Sequence, residues 1–293
     1  MKFQTVSIPF SPDPALGAYL KRWNVRVTAN DAMQSSWIQT IAQIANNSEK
    51  LGHDDVNTVL EDAYVPGYRL ANPSLTQWFS ETDAWWFDNV RRRIDVLESP
   101  TARAIASTIA MAAGQYVMSF TDDTRELRQP LSTVFRRLWT IQPEPFNNGA
   151  KNICQNKRPD DFVLDGLTDE TRPDLMFLRL PAAHGQNSRT FLGRNAWREE
   201  WLRGGNDFWE DLDSSMAGRL GAATETKSQY LRLVDEILRK ASNIQHWAVA
   251  HVETGFISTA DLVETIGKVR RVDTVYTKDF SELTGAKAVI ITA

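Results

Sequence analysis

Residues 4–31 read QTVSIPFSPDPALGAYLKRWNVRVTAND, and this stretch decides the fold. Gln4 to Pro9 is a short run rich in β-branched residues that ends in turn chemistry, which predicts a strand. Asp13 is a good N-cap and Pro14 suits the first helical position, so Ala15 to Trp23 is predicted helical. Val25 to Ala29 reads as a second strand ending at Asn30–Asp31. Beyond it, Trp37, Ile38, Ile41, Ile44 and Ala45 recur at helical spacing. Strand, helix, strand, helix within fifty residues predicts an α/β fold with a doubly wound sheet.

Outward from this stretch the pattern turns helical. Val56 to Leu60, Glu81 to Leu97 and the alanine-rich Pro100 to Phe120 are predicted helices, and Asp122 to Pro159 reads as irregular and partly basic. The sheet pattern then returns. Phe162–Val163–Leu164 reads as a strand leading to Asp165, and Leu175–Met176–Phe177–Leu178 as a buried one. A polar loop to Arg194 precedes a Trp-bearing helix over Ala196 to Leu202. Tyr230 to Ala241 is amphipathic, and His246 to Val252 is a strand. Ser258 caps a helix over Thr259 to Val269, and strands at Val272 to Tyr276 and Ala288 to Thr292 close the chain. The expected organisation is a core begun by residues 1–53, a mostly helical insertion and recognition region over 54–158, and the rest of the core over 159–293.

Composition sets the outer limits. A chain of 293 residues, 42% hydrophobic and 24% charged, can bury a sizeable core. The net charge of −4 argues against a purely electrostatic nucleic-acid binder, though not against a local basic patch. No run approaches the roughly 18 apolar residues of a membrane span, so no membrane partner is expected. The opening MKFQTVSIPF has no signal-peptide pattern, and Cys154 is the single cysteine; both point to a reducing cytoplasm. The ten tryptophans are read mainly as core. The four histidines, His53, His184, His246 and His251, lack metal-ligand spacing, and no metal site is expected.

The order of elements and several words resemble the adenine-N6 DNA methyltransferases of the Dam-like class. In that family the first strand runs into an F-x-G-x-G loop that meets S-adenosylmethionine, and the second ends in N-D. Here the matching words are Phe10–Ser11–Pro12–Asp13–Pro14 and Asn30–Asp31. The later family strand ending in D-P-P-Y matches Asp174 to Leu178 followed by Arg179–Leu180–Pro181–Ala182. A further strand, Gly255–Phe256–Ile257–Ser258 opening a helix, and two closing strands complete the likeness. The resemblance implies a Rossmann-like methyltransferase sheet, with Phe10, Asp31 and Asp165 as the cofactor contacts.

The same words depart from the family where its chemistry resides. Pro12 and Pro14 fix φ and remove two N–H donors where glycines would let the backbone approach a ligand. Arg179 stands at the position of an acceptor side chain and can only donate. Ala182 stands where a ring would stack the extruded base. The expectation is therefore a catalytically inactive relative, with no cofactor, retained as a DNA-binding or partner-binding subunit. Its partner could be an active methyltransferase or another subunit of a restriction-modification locus. One alternative is an active S-adenosylmethionine-dependent enzyme with an atypical site or one completed by a partner chain. Another is the same fold reused for a different small anionic ligand bound at Arg179. For DNA, the candidates are Arg189, Arg194 and Arg198 beyond the tetrapeptide, and Lys151, Lys157 and Arg158 in the irregular segment. Asp31 reads equally well as a turn acid, Asp13 as a helix cap, and Asp165 as a turn aspartate before Gly166.

Overall fold

A computed structural model gives the architecture, and it describes residues 2–166, 172–253, 256–280, 282 and 286–293. The elements in chain order are β1 (Thr5–Ile8), α1 (Ala15–Arg22), β2 (Arg26–Asn30) and α2 (Gln34–Thr40), which runs into a π turn, Ile41–Ala45. Next come α3 (His53–Leu60), α4 (Glu81–Val96), α5 (Pro100–Met118), α6 (Leu131–Thr140), β3 (Ile153–Gln155), α7 (Pro159–Asp165) and β4 (Leu175–Arg179). Then follow α8 (Ser188–Leu192), α9 (Ala196–Arg203), α10 (Trp209–Met216), α11 (Lys227–Lys240), β5 (His246–Glu253), α12 (Thr259–Gly267), β6 (Thr274–Asp279) and β7 (Lys287–Thr292).

The strands form one seven-stranded mixed sheet in the order β3-β2-β1-β4-β5-β7-β6. The first five are mutually parallel, with Val6 opposite both Val27 and Leu175, and Leu178 opposite Val249. β7 runs antiparallel to both β5 and β6. This is the doubly wound order with one reversed strand inserted before the last. β6 is exposed along its whole length.

Alternation along the strands divides the core. Val6, Ile8, Val27, Ala29 and Leu175 pack with Ile44, Leu16 and Leu20 on the face covered by α1 and the π turn. Met176, Leu178, Trp247, Val249, Val289 and Ile291 pack with α7, α11 and α12 on the other. A third cluster fills the helical region, built on Trp86, Phe87, Ile109 and Phe135. Trp197 and Trp201 of α9 belong to that third cluster although they follow β4 in sequence. The helical region therefore borrows α9 from beyond residue 158. Trp86, Trp197, Trp201 and Trp247 are all fully buried, as a core reading of tryptophan requires.

Three expectations are corrected. Phe162–Val163–Leu164 is not a strand but part of α7, begun by Pro159 at its first position with Asp160 and Asp161 in the first turn. The strand beside β2 is the three-residue β3, inside the segment expected to be irregular, which also contains α6. The closing strand β6 starts at Thr274 rather than Val272. Of the word Gly255–Phe256–Ile257–Ser258, Gly255 lies outside the described residues; Ser258 does cap α12, accepting from the Asp261 amide.

Gly114 of α5 shows how closely α9 is seated. A Cβ there would lie 2.3 Å from two ring carbons of Trp197. Alanine in a helix interior is normally favoured over glycine by about 1 kcal/mol. Here overpacking of about 1–3 kcal/mol should outweigh it. Gly114→Ala is expected to lower the unfolding free energy in urea, and a variant more stable than wild type would mean that Trp197 is not seated against this glycine.

Candidate functional site

β1 and β4 are neighbours, yet the chain leaves β1 toward β2 and leaves β4 toward β5. The winding direction reverses between them, and ligands of open α/β sheets bind outside the carboxyl ends of the strands at such a point. A crevice of about 500 Å³ opens there. Phe10, Asp31 and Arg179 line it together with Leu180, Pro181 and Ala182, so three separate words of the sequence converge. Tyr230 of α11 donates its hydroxyl to the Pro181 carbonyl at 2.8 Å and holds the tetrapeptide backbone in place. Gly221, at φ +97°, passes against Phe10, whose ring would lie 3.2 Å from any Cβ there.

Asn30 and Asp31 set the geometry at the strand ends. The buried Asn30 amide donates to the Pro9 and Lys157 carbonyls at 3.1 and 3.0 Å, and its oxygen accepts the Lys157 amide at 2.9 Å. It thereby ties the segment after β1 to the segment after β3. Asp31 accepts the Ser11 amide at 3.1 Å and the Met33 amide at 2.9 Å, one on each oxygen. The carboxyl is 7% exposed. Burial pushes it up to about 7, reinforced by the charge of Glu199 and opposed by the two amides and by Arg179. Both oxygens being engaged, Asp31 behaves here as the turn acid.

The loop after β1 closes on itself. The Ser11 hydroxyl donates to the Asp13 carbonyl at 3.1 Å, and the Ser36 hydroxyl to the Pro12 carbonyl at 3.2 Å. One Asp13 oxygen takes the Ala15 amide at 3.1 Å, from just ahead of α1, whose N-cap position falls on Pro14 rather than on Asp13. The other takes Arg179 Nη1 at 2.5 Å. The residues that depart from the family pattern in two distant words are thus partners in one half-exposed ion pair.

Asp165 does not join this site. It is the last residue of α7, exposed, and paired with Lys157 at 2.6 Å beside a separate shallow cavity. The residue following β3 at the sheet edge is Asn156, which donates to the Asp31 carbonyl at 2.7 Å. The acid-rich first turn after Pro159 was the signal that 159–165 is helical and that Asp165 ends a helix. His184 and His251, not expected in the site, also line the crevice. His184 stacks on Phe191 with centroids 3.7 Å apart, and burial lowers both imidazoles. Only their places just beyond β4 and within β5 could have suggested them.

The six basic candidates are distributed as follows. Arg189 donates to Glu200 and Gln77, each at 2.7 Å, and lies 5.5 Å from the Trp78 ring centroid. Arg194 donates to the Met118 carbonyl at 2.6 Å. Arg198 donates through Nη2 to Gln115 at 3.0 Å and lines the crevice, while its buried Nε has no hydrogen-bond partner. Lys157 and Arg158 pair with Asp165 and Asp161, each at 2.6 Å. Lys151 is exposed. These residues do not form one basic surface; three anchor the α8–α9 segment to the helical region and two brace α7. Among the described residues no cluster of histidine, cysteine and acidic groups has metal-binding geometry. No described helix is long and apolar enough to cross a membrane. Compared with known proteins, the chain matches no family model and no curated sequence.

The raised carboxyl of Asp31 has a consequence for stability. It binds its proton more tightly folded than unfolded, so its contribution is present below the ordinary carboxylate range and is lost as pH rises through about 7. Between about pH 4 and pH 8 the wild-type chain should lose about 2–4 kcal/mol relative to Asp31→Asn. Parallel stability profiles of the two proteins in urea would show instead that Asp31 titrates as an ordinary carboxyl.

Proposed function

We propose that this chain is a methyltransferase-like protein that does not transfer methyl groups and has been retained as a binding subunit. The ion pair between Asp13 and Arg179 carries the reading. Asp13 belongs to the loop that meets the cofactor in the enzymes the sequence resembles, and Arg179 stands where their acceptor side chain would be. Each neutralises the other at the crevice, so the two departures support one another. A guanidinium offers no acceptor for an adenine amino group, and Ala182 offers no ring to stack a base.

The polar groups around the crevice do not fit S-adenosylmethionine. The Ser11 amide is committed to the Asn30 carbonyl and Asp31. The Gln34 and Ser35 amides at the start of α2 donate to Glu199 at 3.0 and 2.6 Å, which takes the first two N-terminal donors there away from a ligand carboxylate. Asp31 has both oxygens engaged. The volume remains, but the Ser11, Gln34 and Ser35 amides and both Asp31 oxygens are already used within the chain.

One group is left over, and it favours a second reading, the fold reused for another small anionic ligand. Arg198 borders the crevice with an unpartnered Nε, and no described carboxylate forms an ion pair with it. That Nε is sealed within the protein, so an anionic ligand in the crevice would meet Arg198 through the rest of its guanidinium. DNA binding is the less favoured role, because Arg189, Lys157 and Arg158 are already paired with acids of the same chain.

Calorimetry with S-adenosylmethionine and transfer of labelled methyl groups to duplex DNA test the proposal. The expected result is no binding in the micromolar range and no label in adenine. Micromolar binding together with labelled adenine would overturn it in favour of an active enzyme; label that appears only when a second protein is added would point to a site completed by a partner chain.

A further inference from the structure

At the opposite end of α1 from the crevice, where that helix meets the helical region, a second cavity encloses about 400 Å³. Lys21 of α1 is in its wall, and that side chain is only 1% exposed. Buried lysines are rare unless paired. This one donates to the Asn46 carbonyl at 2.5 Å, and no other acceptor holds it among the described residues. An ammonium has three donors, so two remain to be satisfied. The nearest titratable group, Cys154, is no counter-ion: burial pushes its thiol up to about 11, and it stays neutral. Burial likewise lowers the Lys21 amine from its ordinary value.

The rest of the cavity is built rather than incidental. The π turn Ile41–Ala45 ends with the Asn46 amide on the Ile41 carbonyl at 3.1 Å and brings Asn46 to the wall. Single π turns in α-helices often mark functional sites. Trp139 is fixed by its indole N–H on the Leu51 carbonyl at 3.0 Å, and His53 meets the same ring edge-on with centroids 4.8 Å apart. Ile105 and the half-exposed Phe146 complete an apolar wall. Around the rest of the wall Lys50 is paired with Glu144, and Arg22 and Glu49 add one charge of each sign.

We propose that this cavity is a binding site for a small aromatic monocarboxylate, its carboxylate on Lys21 and its ring against Trp139. One buried positive charge balances one negative charge, and the other lining charges, Arg22 and Lys50 against Glu49 and Glu144, cancel, so a monoanion is favoured over a phosphate dianion. The flat indole wall suits a planar body. The inference stands apart from the crevice and from any reading of it.

Calorimetric titration with benzoate, 2-naphthoate and indole-3-carboxylate, each beside its neutral amide, tests the site. At least one acid should bind at millimolar concentration or better, and its amide should bind at least about tenfold more weakly, a difference of about 1.4 kcal/mol. Lys21→Met keeps the shape and removes the charge, and binding of the acid should fall by the same factor. Should that variant fail to fold, Ile105→Trp, which fills the cavity from α5, should abolish binding. Asp31→Asn, in the crevice, should leave it unchanged. The proposal is overturned if no acid binds, if acid and amide bind equally, if both cavity variants retain binding, or if phenyl phosphate binds more tightly than benzoate.

Discussion

Two adjacent carboxylates on α9, Glu199 and Glu200, are entirely buried, and much of the structure is arranged around keeping them satisfied. A buried charge is tolerated only when it is paired and fully hydrogen-bonded. Glu199 accepts the first amides of α2 and the Arg203 guanidinium. Glu200 accepts the indole N–H groups of Trp78 and Trp209 and the Nε of Arg189. Because these partners come from the sheet side, the helical region and the segment beyond α9, the two acids join all three. Removing either partner set would leave a charge stranded in the interior, which is why α9 cannot drift from this position. The same requirement pairs Arg189 and Arg203 with the acids of α9.

The fold was legible where local chemistry and burial agree. β1, α1 and β2 follow from Ile8, Asp13–Pro14 and the Val25–Ala29 run, and β4 and β5 from short apolar runs. β3 was hidden because three residues carry too little pattern, and its neighbours Asn147, Asn148 and Gly149 read as turn. α7 was misread because Phe162–Val163–Leu164 is apolar and short enough to suit either period, and Pro159 was not weighed as a helix start. α10, over Trp209–Met216, left no expectation at all in the sequence. Of the site, the convergence of Phe10, Asp31 and Arg179 was implied by the family resemblance, and the strand order β2-β1-β4 brings them together. The Asp165 placement failed with the strand it depended on.

Pairings between distant residues were the part that pattern could not supply. Asp13 and Arg179 are far apart in sequence, and each, read singly, is a defect in a binding motif. Together they form one neutral unit on the surface of the crevice. Glu199 is equally unreadable in advance, since an acid on a helix with Arg198 and Arg203 beside it normally belongs to a solvated face. Its burial comes from the helix that it caps, some 160 residues earlier. At the crevice, Asp13 and Arg179 neutralise one another and Glu199 occupies the first amides of α2, while Arg198 keeps an unpartnered Nε.

The reversed strand β7 also constrains how the molecule can be made. It lies between β5 and β6, and among the described residues β6 has no other neighbour in the sheet. As the chain emerges from the ribosome, β1 through β5 can assemble in parallel while β6 has nothing to dock on. The outer two strands join the sheet only through β7, which pairs on both of its edges. Until β7 pairs, the edge of β5 presents open backbone groups that another strand could take.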